Sequence, residues 1–224
     1  MITVSNLSFI RKYGIWSSNS KVILRDITFE ISRGDRIALL GSNGTGKSTL
    51  LRLLADILQP SSGTISRLGR VTSLLDPAYG MSEVLSPQEN CRTRLIMDGI
   101  STRNIGILIS QIEEFADIGE YFRKPMNTLS SGMWARVAFS LATALPQEVL
   151  LIDEGFGLAD HAFRARATAR LSAIYRQAQA LVLASHDASL LRSVCLSGII
   201  LRDNSIAYIG DIDSAIALHE TAIN

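Results

Sequence analysis

The residues best suited to chemistry stand together early in the chain, where Gly41-Ser42-Asn43-Gly44-Thr45-Gly46-Lys47-Ser48-Thr49 satisfies the pattern G-x-x-x-x-G-K-[ST]. Such a run binds phosphate. Its glycines let successive backbone N–H groups curl around phosphate oxygens, and a helix starting at its end adds partial positive charge. In that role Lys47 reaches the β- and γ-phosphates and Ser48 offers a hydroxyl to Mg²⁺. Two further polar groups follow apolar stretches. Val149-Leu150-Leu151-Ile152 ends in Asp153-Glu154: one hard carboxylate for the cation, and a second able to polarise an attacking water. Ala180-Leu181-Val182-Leu183-Ala184 ends in Ser185-His186-Asp187, which presents an imidazole to the γ-phosphate or to that water. Leu129-Ser130-Ser131-Gly132-Met133, with Arg136 beyond, precedes a helix expected over Trp134 to Leu145. Ser130 can cap that helix, and a serine-glycine helix start is a second anion site, which suggests a second copy of the protein.

These groups need strands to hold them. Arg36-Ile37-Ala38-Leu39-Leu40 and the two later apolar stretches read as central parallel strands covered on both faces, and ligands of open α/β sheets bind at the carboxyl ends of such strands. Met1 to Phe9 and Val22 to Ile31 alternate apolar and polar as half-buried strands, joined through the turn-rich Tyr13 to Ser20. Thr49 to Leu58 carries leucines at helical spacing and ends at Gln59-Pro60-Ser61-Ser62-Gly63, with a shortened hairpin expected from Gly63 to Thr72. Ser86-Pro87-Gln88-Glu89 is a capping box with proline at the first helical position, and Ile105, Leu108, Ile112 and Phe115 form an apolar stripe. Gly198 to Gly210 reads as a hairpin turning at Asp203-Asn204, and Ile212 to Ala222 as a closing helix. His161 and His219 lack such a setting and read as surface residues.

Composition narrows the function. With 224 residues, 47% hydrophobic and 19% charged, the chain is long and apolar enough to fold around a sizeable core as one or two domains. A mean hydropathy of +0.22 leaves apolar surface for partners. Twenty-two basic against 21 acidic residues give +1, and no basic run exceeds a pair, which excludes a nucleic-acid footprint. Charge-free runs such as Val137 to Gln147 fall well short of the roughly 18 to 20 residues needed to cross a bilayer. Residues Met1 to Ile10 lack the cationic head and apolar core of a signal peptide, so a cytoplasmic location is expected. Cys91 and Cys195 stand alone and fit two core thiols in a reducing compartment.

In order and spacing, the loop at Gly41 to Thr49, the stretch Leu129 to Gly132, Val149 to Glu154 and His186 resemble the ATPase subunit of an ABC transporter. The resemblance covers essentially the whole chain. It implies an α/β fold: a P-loop (RecA-like) ABC ATPase core over 1–76 and 131–224, with an N-terminal antiparallel β subdomain and an inserted α-helical subdomain over 77–130. It also implies ATP and Mg²⁺ as ligands and a homodimer packed head to tail. Each ATP would lie between the loop around Lys47 of one subunit and Ser130, Ser131, Gly132 and Met133 of the other, and Asp160 would close the loop that crosses this interface. Asp76 stands where the family places a glutamine that contacts metal and permease. Tyr13 would stack on adenine, with Phe9 and Trp16 as alternatives.

The variant signature Ser130-Ser131-Gly132-Met133 and the upstream Phe115-Ala116-Asp117-Ile118-Gly119-Glu120-Tyr121-Phe122 resemble the subgroup that exports capsular polysaccharide, O-antigen or related glycans. Ending at Asn224, the sequence resembles that subgroup's short members, without a carbohydrate-binding domain. The expected function is ATP hydrolysis coupled to export of a cell-surface polysaccharide through separate permease subunits, at the inner face of the membrane. Asp76 to Glu89 is the candidate permease contact. The alternatives are a soluble ABC-type ATPase switch serving translation or DNA maintenance, and a nucleotide-binding module that never hydrolyses.

Overall fold

Alternating and fully apolar segments become strands of two different sheets. A computed structural model describes residues 1–12, 19–75, 80–145, 147–153 and 161–221. In chain order its elements are β1 (Ile2–Lys12), β2 (Ser20–Ile31), β3 (Arg36–Leu40), α1 (Lys47–Leu54), β4 (Ser62–Arg67), β5 (Val71–Leu74), α2 (Pro87–Met97), α3 (Thr102–Ala116), α4 (Ser131–Ala142), β6 (Val149–Asp153), α5 (His161–Gln177), β7 (Ala180–Ala184), α6 (Ala188–Val194), β8 (Ser197–Arg202), β9 (Ser205–Asp211) and α7 (Ile212–Thr221). They form two compact units, one of Met1–Leu75, Gln147–Phe156 and Gln177–Asn224, the other of Asp76–Pro146 and Gly157–Arg176.

The first unit holds both sheets. Strands β2-β1-β4 are antiparallel, and a second sheet runs β5-β6-β7-β3-β8-β9, parallel except for β9. Residues 37–40, 149–152 and 180–184 are all buried, which is why those strands lack alternation. Both sheets close on one core that includes Val4, Leu7, Ile31, Leu39, Leu50 and Leu151.

Two local expectations are corrected. Gly63 to Thr72 does not form a hairpin: β4 pairs with β1 while β5 pairs with β6, so the chain passes from one sheet to the other through Gly69 at φ +100°. Helix α1 stops at Leu54, short of Leu58. Asp56 takes the left-handed conformation at φ +62°, and the Arg67 guanidinium donates to the carbonyls of Leu53 and Leu54, a cap supplied from β4. The β8–β9 hairpin turns as expected, with Asp203 and Asn204 at φ +50° and +66°, the geometry of a type I′ turn.

The second unit is helical. At the start of α2, Ser86 Oγ accepts from the Glu89 amide at 3.3 Å while the Glu89 carboxylate accepts from the Ser86 amide at 2.8 Å, completing the capping box. The Ser86 amide, and the Ser86 hydroxyl that donates to the same carboxylate oxygen at 2.7 Å, hold the Glu89 carboxyl below its usual pKa. Ile105, Ile109, Ile112, Phe122 and Val137 are buried in its core. Phe115, Phe139 and Phe163 pack at centroid distances of 5.5 to 6.1 Å, which groups α4 and α5 with α3 and carries this unit beyond residues 77–130. Arg166 Nη2 donates to the carbonyls of Glu114 (3.2 Å) and Phe115 (3.0 Å) at the end of α3. Among the described residues no helix is long and apolar enough to cross a membrane.

Candidate functional site

Backbone shape dominates the loop between β3 and α1. Gly41, Gly44 and Gly46 take φ of +148°, +84° and +104°, values that L side chains rarely adopt. A Cβ on Gly41 would lie 2.6 Å from Thr45 Oγ1 and 2.7 Å from the Leu201 carbonyl oxygen, whereas nothing lies within 4 Å of one on Gly44. The loop is thus packed at its root and open at its crown. Thr45 Oγ1 donates to the Ser42 carbonyl at 2.9 Å, and Lys47 Nζ reaches back to the carbonyls of Gly41 and Ser42, the latter at 3.1 Å. Gly46 is the N-cap of α1 and brings no capping side chain, and no acidic residue occupies the first turn. The amino end of α1, the open crown and the ammonium together suit the oxygens of a phosphate chain. Asn43 is exposed, and Ser48 and Thr49 are half-buried in the first turn.

Strand order brings the other polar groups to this edge. Strand β7 lies between β3 and β6, Asp153 pairs with Ala184, and β3 and β7 run parallel. Hence Gly41, His186 and Asp153 all follow or end strands at one carboxyl edge, with His186 between the loop and the carboxylate. His186 is exposed on a short turn. Ser185 Oγ accepts from the Asp187 amide at 3.0 Å, and Asp187 caps α6 by accepting from Ser189 and Leu190 at 2.9 and 3.1 Å.

One residue of this edge escapes sequence reasoning. Helix α7 returns alongside β8, with Ala215 against Gly198 and Leu218 and Thr221 beside Ile200 and Arg202. This places the His219 imidazole in electrostatic reach of Lys47 and His186, so His219 is not the plain surface residue expected. Partial burial, then the charges of Lys47, His186 and Arg202, hold its pKa below the ordinary histidine value. Nothing in the local sequence signals this, because the neighbours lie in other elements.

Ser130 to Met133 belong to the helical unit. Ser130 caps α4 as expected, its Oγ accepting from the Met133 amide at 3.3 Å, and Ser131 is exposed. Tyr13, Asp76, Glu154 and Asp160 lie outside the described residues. Among the described residues no group of three or more His, Cys, Asp or Glu side chains could hold a metal by itself.

Residues 24–157 match the family model described as ABC transporter. The chain belongs to the ABC transporter ATP-binding family. It is 42% identical over 172 residues to the O-antigen export system ATP-binding protein RfbE of Yersinia enterocolitica, covering 77% of this cassette and 72% of that protein. It is 28% identical over 213 residues to the O-antigen export system ATP-binding protein RfbB of Klebsiella pneumoniae, covering 95% and 87%. Among solved structures, a dimeric ATP-binding cassette in a post-hydrolysis state with ADP and Pi superposes with a TM-score of 0.72 at 20% identity, over 95% of this cassette and 99% of that chain. The α/β cassette fold is therefore established for this chain.

Proposed function

We propose that this chain binds and hydrolyses ATP as one subunit of a head-to-tail homodimer that drives export of an O-antigen-type cell-surface polysaccharide through separate permease subunits at the inner face of the membrane. The observation that carries the reading is the open-crowned loop of residues 41–49 sharing one sheet edge with Asp153 and His186. The glycan class rests on the likeness to the O-antigen exporters' ATP-binding proteins.

In this reading the amides of Gly44 to Ser48 and the Lys47 ammonium hold the β- and γ-phosphates, and the bonds of Lys47 to the carbonyls of Gly41 and Ser42 keep the ammonium over the loop. Ser48 and Asp153, with Asp76, supply hard oxygen donors that suit Mg²⁺, whose charge would offset that of the phosphates. Glu154 orients water for attack on the γ-phosphorus, and His186 contacts the γ-phosphate from β7. Tyr13 stacks on adenine, Ser130 to Met133 complete the partner's site and Asp160 crosses the dimer interface.

The test is a Glu154→Gln protein. It should retain ATP binding and lose roughly a hundredfold or more of its hydrolysis rate, the scale of a positioned acid–base group. A wild-type rate overturns the assignment. Copurification with a multispan membrane protein supports the exporter reading, and copurification with ribosomes overturns it.

A further inference from the structure

Both ends of the loop at residues 41–46 pass close to a carbonyl of a neighbouring strand. A Cβ at Gly41 would lie 2.6 Å from Thr45 Oγ1 and 2.7 Å from the Leu201 carbonyl oxygen of β8, and one at Gly46 would lie 2.8 Å from Leu24 Cδ2 and 3.1 Å from the Ile23 carbonyl oxygen of β2. These two strands belong to different sheets. One side chain joins them. Asn204, at the tip of the β8–β9 hairpin, donates from Nδ2 to the carbonyls of both Val22 and Ile23 at 3.0 Å, and its own carbonyl accepts from the Arg25 amide at 2.7 Å. Both amide protons are thereby committed to β2. One of the two acceptors, the Ile23 carbonyl, is the one that passes close to Gly46.

We propose that Asn204 is a positioning residue for the phosphate loop: by clipping the β8–β9 hairpin to β2, it sets the width of the slot in which residues 41–46 lie. Rigid convergence of backbone N–H groups is what makes such a loop bind, and a wider slot would splay them. Asn204 touches no phosphate itself. Its left-handed conformation at φ +66° favours asparagine or glycine, and of these only asparagine brings the amide. The inference rests on the phosphate-binding reading of the loop.

The experiment compares wild type, Asn204→Gly, Asn204→Asp and Asp203→Gly for binding of inorganic tripolyphosphate and ATP by calorimetry, and for ATP hydrolysis. Asn204→Gly keeps the turn and the Arg25 bond but removes the clip. It should weaken both ligands by a similar factor, about tenfold for two lost hydrogen bonds, raising KM and leaving kcat within about twofold. Asp203→Gly, at the same tip, should leave both affinities unchanged. A folded Asn204→Gly protein that binds tripolyphosphate like wild type overturns the proposal, as does loss of ATP affinity alone. Should Asn204→Gly not fold, Asn204→Asp, which sets a carboxylate against the two carbonyls, must show the same joint weakening; unchanged affinities there overturn it equally. Failure of the wild type to bind either ligand would instead overturn the phosphate-site reading on which the clip depends.

Discussion

The two units are held in different ways. Around residues 41–49 the determinants are main-chain shape and strand order: three left-handed glycines, a carbonyl that leaves no room for a Cβ at Gly41, and five parallel strands that bring their ends to one edge. In the helical unit the determinants are side chains, with three phenylalanine rings packed together and Arg136, Arg166 and Arg170 set over Phe163 or Phe115 at 4.0 to 5.4 Å. The lesson is that damage to the first should appear as lost ligand binding, and damage to the second as lost stability.

The sharpest way to break that contrast is Gly41→Ala. The new methyl group meets a backbone oxygen at a left-handed φ, so phosphate affinity should fall more than a hundredfold, read by tripolyphosphate titration, while circular dichroism keeps the helical signal. Retained affinity would show that the loop tolerates side chains at its root. Phe139→Ala is the counterpart in the other unit. Removing a fully buried ring should cost about 3–5 kcal/mol in chemical denaturation and leave tripolyphosphate affinity within about twofold. A comparable loss of affinity would merge the two categories.

The smallest effect concerns His219. Its pKa in the folded chain lies below the ordinary value of 6.5, so the folded state binds fewer protons than the unfolded one in the window just below that value. Stability should therefore fall as pH drops through the window, and His219→Gln should flatten that part of the curve. Bound tripolyphosphate offsets the local positive charge and should flatten it as well, which denaturation midpoints with and without ligand would reveal. An identical pH profile in His219→Gln would remove His219 from this edge.

Legibility from sequence follows the same division. Strands β3 and β7 were readable to the residue because burial on both faces leaves an unbroken apolar run bounded by polar residues. The shape of the loop at residues 41–49 was equally readable, since glycine spacing between a buried strand and a helix signals left-handed backbone. The end of α1 and the pairing of Gly63 to Thr72 were not. The end of α1 depends on Arg67, which comes from a strand, and the fate of Gly63 to Thr72 depends on two partners, β1 and β6, that local alternation does not encode. The place of His186 in the row also needed the strand order, because the last of the three strands in sequence inserts between the other two. His219 was illegible for a similar reason: only the return of α7 along β8 brings it near Lys47.

The chain's two thiols have a practical consequence. Cys91 and Cys195 are both buried, and burial pushes each thiol up to about 12. At pH 7 to 8 almost no thiolate forms, and the sulfurs are shielded from reagents. The native sequence is therefore a silent background for thiol labelling. A single cysteine introduced at an exposed position such as Met97 or Leu68 would carry a spectroscopic probe or crosslinker without first removing the natural pair.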